Sequence, residues 1–380
     1  MLKRAIEKTI KEYLKGDSFK ILYIWGPRRS GKTTLLNKLS KDLGVVKFNF
    51  DFESDREKFL PRRKTLQKLV KENKVILIDE VQNFPEATVM LKLLYDEFKV
   101  KVIATGSSEL RQKSKNFDTM VGRFIETFCL PLSIFEIADN EKVKISERKD
   151  YEKNMAENLQ IFGSYPEVYT KKDSSETERI DILQNILDAY VLKDIIAIYN
   201  LKNTKLAKDI LVKIALQIGS EVSIREIANS LGANVATVAN YIEIFIKNYI
   251  LIPLPSFKTN ARRAVSLNRK LYFYDLGLRN ILIKDFRQLE LRPDKGGVFE
   301  NFIISEIEKK RKIFNLKINL YFYREYGGKE IDLVIEDYKK RYTCLEIKTT
   351  SGKARKIFPL LHTRAIINSK NYFENIDRIL

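Results

Sequence analysis

The stretch "WGPRRSGKTTLL" (25–36) holds residues whose types and spacing suit phosphate chemistry. Gly26, Gly31, Lys32 and Thr33 fit G-x-x-x-x-G-K-[ST]. The glycines let backbone N–H groups approach phosphates closely, and the N-terminus of a following helix adds a favourable dipole. Lys32 is placed to reach the β- and γ-phosphates, and the Thr33 hydroxyl to coordinate magnesium. The expected ATP cradle is Gly26, Pro27, Arg28, Arg29, Ser30, Gly31, Lys32, Thr33 and Thr34, with no role assigned to Arg28 and Arg29. In "VILIDE" (75–80) an apolar run ends in two carboxylates. Asp79 is suited to hold Mg2+, directly or through water, and Glu80 to polarise an attacking water as a general base.

The next apolar run, "VKVIATGSS" (100–108), ends in small hydroxyl residues. Thr105, Ser107 and Ser108 are candidates to sense the γ-phosphate or hold the water; a plain polar turn fits equally well. Arg123 in "VGRF" is the candidate arginine finger, from the same chain or a neighbour, with a surface ion pair as the alternative.

These residues need a sheet behind them. "KILYIW", "VVKFNF", "KVILID", "VKVIATG" and "RFIETFCL" are apolar runs separated by helical stretches. Such strands predict a parallel sheet covered on both faces. After "PLSIFEI" the pattern is helical to about residue 204, and Ser133 and Glu136 have capping-box spacing. Residues 205–255 read as three helices and a strand: "LAKDILVKIALQIG", "SIREIANSLG", "NVATVANYIEIFIKNY" and "ILIPLP". Ser223 and Glu226 have the spacing of a second capping box. That order is a winged-helix pattern. From about 260, short strands return ("KLYFYD", "NLYFYRE", "EIDLVIE", "TCLEIKT") around the helix "VFENFIISEIEKKRK", as expected of a separate α/β domain.

Composition narrows the chemistry further. The chain has 380 residues, 44% hydrophobic, enough for two or three domains at roughly 100–200 residues each. A net charge of +19 favours polyanionic partners: DNA, RNA or an acidic surface. His362 is the lone histidine, which excludes histidine-based metal clusters and Ser-His-Asp triads. Cys129 and Cys344 have no partner at metal-ligand spacing, so a reduced, cytoplasmic setting is expected. "MLKRAIEKTIKEYL" is amphipathic rather than a signal peptide. The most apolar segment, "YIEIFIKNYILIPLP", is broken by Glu243 and Lys247, so no membrane partner is expected.

Taken in order, "WGPRRSGKTTLL", "VILIDEVQNFP", "ATGSSEL", "VGRF" with "LPLSIFE", "FGSYPEV", "YFYDLGLRN", "VFENFIISEI", "YFYREYGGKEIDLVI" and "LEIKTT" resemble one family. It comprises archaeal and bacterial AAA+-type P-loop ATPases with a C-terminal domain of formerly unknown function. The resemblance implies an α/β fold class with four parts. They are a P-loop NTPase parallel sheet (1–135), a helical lid (136–204), a winged helix (205–260) and a restriction-endonuclease-like domain (261–380). It also implies a role in DNA processing. In that light the E-x-K of "LEIKTT" becomes a candidate nuclease site. Asp332 and Glu346 would hold one or two Mg2+ or Mn2+ ions, Lys348 would orient or deprotonate a water, and Glu300 would be an auxiliary ligand. E-x-K is short, however, and alternating charge on a strand equally describes a solvated face.

Lys258, Arg262, Arg263, Arg269 and Lys270 follow the presumed recognition helix and are the candidate DNA contacts. That helix itself offers Asn234, Thr237 and Asn240 but few positive charges. "KKRK" (309–312) reads as a solvated helix end. The leading expectation is Mg2+-dependent ATP hydrolysis coupled to DNA binding and processing, of helicase, branch-migration or translocase type. It carries a homo-oligomer, with a ring if Arg123 acts in trans. The rivals are an ATP-dependent switch with an inactive nuclease-like domain, and a metal nuclease with a vestigial ATPase.

Overall fold

The computed structural model describes residues 2–106, 120–141, 148–195, 199, 201, 203–258, 269–350, 352 and 355–379. The chain forms two compact units, Met1–Leu130 and Pro131–Leu380.

The first unit is built on five strands: β1 (Ile21–Trp25), β2 (Lys47–Asn49), β3 (Val75–Asp79), β4 (Lys101–Gly106) and β5 (Phe124–Phe128). Their order is β2-β3-β4-β1-β5, and every pairing is parallel. All five residues of β1 are buried, as a strand covered on both faces requires. On one face, helices Ile6–Lys15 and Lys32–Leu43 deliver Ile6, Ile10, Leu35, Leu36 and Leu39 onto Leu22, Ile24, Leu77 and Ile103. Tyr23 and Trp25 point to the opposite face, two residues apart, with their rings stacked 4.1 Å apart. Trp25 Nε1 donates to Glu126 Oε1 at 2.8 Å. The helical stretch between β2 and β3 is two helices, Glu53–Glu57 and Arg63–Glu72, because Pro61 cannot continue the first.

The second unit begins with the helix Ile134–Asn140, whose capping box forms as its spacing predicts: Glu136 N donates to Ser133 Oγ, and Ser133 N to Glu136 Oε2. Helices Arg148–Phe162, Pro166–Tyr169 and Glu176–Ile186 follow, the last extended as a π-helix over Leu187–Asp194. Helix Thr204–Leu216, β6 (Glu221–Val222), helices Ile224–Ser230 and Val235–Lys247, β7 (Leu251–Pro255) and β8 (Arg269–Phe273) come next. The strands form an antiparallel sheet in the order β6-β8-β7.

Two expectations change here. The strand "KLYFYD", expected in the last domain, is β8 and pairs with β6 and β7. One hydrophobic core also runs from Phe162 through Leu183, Tyr190, Ile210 and Phe245 to Leu271, Phe273 and Leu282. The expected boundaries at 204 and 260 therefore fall inside a shared core. Alternation explains the strand: Leu271 and Phe273 enter this core, and Lys270 and Tyr272 face the other way.

The remainder is a four-stranded sheet, β12 (His362–Ile367), β11 (Tyr342–Ile347), β10 (Glu330–Asp337) and β9 (Ile318–Arg324), in that order. β9, β10 and β11 form an antiparallel meander, and β12 runs parallel to β11. The helix Lys295–Ile313 precedes it, and Tyr372–Ile379 closes the chain. The expected solvated "KKRK" end is instead tied down. Lys309 is buried, 2.7 Å from Glu306 Oε1, and donates to Leu132 O and Ser164 Oγ at 3.0 Å. Lys310 pairs with Asp377 and Arg311 with Glu308. No helix among the described residues is long and apolar enough to cross a membrane.

Candidate functional site

The parallel sheet decides where the phosphate loop opens. β1 ends at Trp25, beside Gly106 at the end of β4, and β3, the strand on β4's other side, ends at Asp79. Gly26 follows at once, and a Cβ there would lie 2.0 Å from Cys129 O. Only glycine fits so close to another backbone. Gly31 takes φ 95, the left-handed turn that starts helix Lys32–Leu43. Ser30 Oγ donates to Pro27 O at 2.8 Å and closes the loop. From outside, the buried Arg4 donates to Ser30 O at 2.7 Å and to Leu130 O at 2.6 Å. Lys32 is buried, and its Nζ donates to Gly26 O at 3.0 Å and Pro27 O at 2.8 Å. Burial pulls its pKa below the usual lysine value, against the opposing fields of Glu80, Cys129 and Asp79. Thr33 and Thr34 are exposed at the first turn of the helix.

Asp79 is buried beside this loop. Thr105 Oγ1 donates to its Oδ1 at 2.5 Å, and Lys47 Nζ stands 3.4 Å from its Oδ2. Glu80 adopts φ 51, and its carboxylate accepts from the Gln82 amide. Lys32, Thr33, Asp79, Glu80 and Thr105 thus belong to the same edge of the sheet. Ser107 and Ser108 lie outside the described residues. Arg123 does not join them. Its carbonyl accepts from Ile21 N at 2.9 Å, at the start of β1, and Nε donates to Asp96 Oδ1 at 2.9 Å. In parallel strands the starts share one edge and the ends the other, about 16 Å apart for five residues. Arg123 thus leaves the backbone at the edge opposite the loop.

A second cluster lies on the C-terminal sheet. Leu333 pairs with Leu345, so Asp332 and Glu346 come next in register. The β9–β10 register shifts between Ile331 and Val334, a bulge that includes Asp332. Asp332 Oδ2 accepts from Ile347 N at 2.7 Å and Lys348 Nζ at 3.2 Å. Lys348 Nζ is also 3.3 Å from Glu346 Oε2. Burial works against the Lys348 ammonium, but Asp332 and Glu346 outweigh it and raise its pKa. Glu346 is 2% exposed, and neither carboxylate oxygen has a well-formed hydrogen bond. Burial and the neighbouring Asp332 raise its pKa. A buried carboxylate left so is suited to a cation, and Asp332 with Glu346 fits Mg2+, which is often held by one or two carboxylates plus waters.

Glu300 does not complete that set. It accepts from Lys270 Nζ at 3.1 Å and Tyr272 Oη at 2.5 Å. No group of three or more His, Cys, Asp or Glu among the described residues is arranged to hold a metal ion. Lys270 is correspondingly not a solvent-facing DNA contact: it is 1% exposed, because β8 turns it toward Glu300 and Glu330. Arg269 pairs with Glu243 at 2.7 Å, and Lys258 is exposed. Arg262 and Arg263 lie outside the described residues. Asn234 spends its side chain capping helix Val235–Lys247, accepting from Ala236 N at 2.8 Å.

Arg4, Lys47, Gln82 and Glu330 are site residues that sequence reasoning missed. Only Gln82 had a local signal, two residues beyond Glu80.

Residues 18–138 match the family profile of an AAA domain. Two further profiles match, each described as a domain of unknown function: DUF8612 over 154–289 and DUF4143 over 295–372. The first of these spans nearly the same residues as the shared core of the second unit. The chain is 28% identical over 377 residues to the uncharacterized protein MJ1544 of Methanocaldococcus jannaschii, covering 93% of this chain and 80% of the relative. It is 25% identical over 340 residues to an uncharacterized protein of Haemophilus influenzae, covering 83% and 79%. Among solved structures, the RuvB Holliday junction branch migration motor of Thermotoga maritima overlaps at 16% identity and TM-score 0.29, over 67% of this chain and 90% of that one. Cdc6p of Pyrobaculum aerophilum overlaps at 11% identity and TM-score 0.30, over 75% and 95%. Superpositions this loose say nothing of what this chain does.

Proposed function

We propose that the chain hydrolyses ATP at the β1, β3 and β4 edge and uses the turnover to work on DNA. The observation that carries this reading is the cradle itself: Lys32 in the Gly26–Gly31 loop, beside a buried Asp79. ATP is the substrate, its phosphates taken by the loop N–H groups and Lys32. Thr33 and Asp79 would hold Mg2+, which supplies charge neutralisation on the phosphates. Glu80 polarises the water, and Thr105 fixes the Asp79 carboxylate. Arg123 acts on a neighbouring chain's nucleotide, so this reading includes a homo-oligomer, with a ring as one form.

The DNA part rests on the charge of +19 and the exposed Lys258. It rests also on the order helix, strand, helix, helix, strand, strand of 204–273, which is that of a winged helix. On the C-terminal sheet, Asp332 and Glu346 would hold a divalent ion and Lys348 would orient a water for phosphodiester cleavage. The test is ATPase activity with and without DNA. Wild type is expected to be DNA-stimulated, Lys32→Ala to be inactive, and Glu80→Gln to lose about 100-fold or more in kcat while still binding ATP. Turnover indifferent to DNA sinks the coupling.

One observation favours a second reading. Glu80 is engaged by Gln82, which withholds the base from water. A slow, nucleotide-bound switch would use that arrangement. Basal turnover that rises in Gln82→Ala supports it.

A further inference from the structure

Lys270 carries an ammonium with almost no exposure, and its surroundings are built from three elements. It comes from β8. Nζ lies 2.5 Å from Glu330 Oε1 on β10 and 3.1 Å from Glu300 Oε1 on helix Lys295–Ile313. The Phe322 ring centroid is 5.6 Å away. Glu330 is shared with Arg324, which in turn reaches Glu221 on β6 at 2.7 Å. Two carboxylate oxygens thus converge on one ammonium nitrogen. A tethered ammonium and a divalent ion would compete for that place, and the ammonium cannot diffuse away. The neighbouring half of the cluster is different. Glu346 is as deeply buried as Lys270, yet its oxygens have only the longer approaches of Lys348 Nζ at 3.3 Å and Arg355 Nε at 3.9 Å.

We propose that Lys270 is a resident counter-cation that permanently occupies Glu300 and Glu330, so that the C-terminal cluster takes a single divalent ion, on Asp332 and Glu346. The inference rests on the reading of those two carboxylates as metal ligands. It assigns Glu300 to holding Lys270 rather than to ligation. It also makes the acidic cluster dependent on β8, a strand of the preceding sheet.

The test counts Mn2+ by electron paramagnetic resonance on the full-length, nucleotide-free chain. An Asp79→Asn background removes the carboxylate of the nucleotide-edge metal site, where Asp79 and Thr33 are the candidate ligands. One Mn2+ per chain is expected. Glu346→Gln should weaken it at least tenfold, the scale on which metal sites respond to lost partners. Glu300→Gln should leave Mn2+ affinity nearly unchanged while lowering Tm, because Lys270 loses a partner. Lys270→Met, where it folds, should admit a second Mn2+. Two ions per chain without that substitution, or a tenfold loss in Glu300→Gln, overturns the inference and leaves the metal reading standing. A folded chain that binds no Mn2+ at all overturns the metal reading, and this inference with it.

Discussion

Lys32 is turned back on the carbonyls of its own loop, and burial depresses its pKa. Phosphates would draw the pKa back up, so nucleotide binding should take up a proton wherever the free protein holds Lys32 neutral. The sign follows: affinity falls as pH rises through the depressed value of the free protein. Nucleotide Kd measured from pH 7 upward should show this loss. Lys32→Arg, always charged, should flatten the profile even if its affinity is lower. Residues of this kind were legible because phosphate chemistry writes them as a local pattern. Arg4 was not, for its partners Ser30 and Leu130 are 26 and 126 positions away. Lys270 was misread for a related reason. A lysine in a basic stretch looks solvated until Glu300 and Glu330, 30 and 60 positions on, are folded against it.

At the scale of elements, helix Lys295–Ile313 shows how a charged helix end becomes interior. Lys309 is held by Glu306, Leu132 O and Ser164 Oγ, and Glu306 Oε2 accepts from Ile134 N at 2.8 Å. Burial raises the Glu306 pKa, with Lys309 opposing. Removing one partner of such a pair leaves a buried charge without compensation. Lys309→Met should therefore cost about 3–5 kcal/mol of the second unit's stability in urea melts. Adding Glu306→Gln should restore part of the loss, because the amide oxygen still accepts from Ile134 N. The strands themselves were readable from apolar runs and alternation. Their partners were not: "KLYFYD" has the same period whichever sheet it joins, and only the burial of Leu271 and Phe273 among the helices decides it.

For the whole molecule, the excess of positive charge makes one measurable demand. Each phosphate neutralised by a lysine or arginine contributes about −0.9 to the slope of log K against log salt. The triple change Lys258→Ala, Arg262→Ala, Arg263→Ala should flatten that slope by about 2 to 3 if this stretch contacts DNA. Lys270→Met should leave the slope alone, because its charge is spent inside the protein. Equal effects of the two would return Lys270 to the DNA surface. The division into two units was only half legible. The start of the second unit at Pro131 lies close to the expected end of the first part at 135, but a core shared by segments from 162 to 282 leaves no mark in any one of them.

Trp25 is the sole tryptophan of the chain, sealed from water, stacked on Tyr23 and hydrogen-bonded to Glu126 one residue before the phosphate loop. The protein therefore carries its own optical probe at the place where nucleotide would arrive. Its emission, uncontaminated by other indoles, should respond to ATP titration in stopped flow with no label attached. The same titration on Lys32→Ala gives the blank.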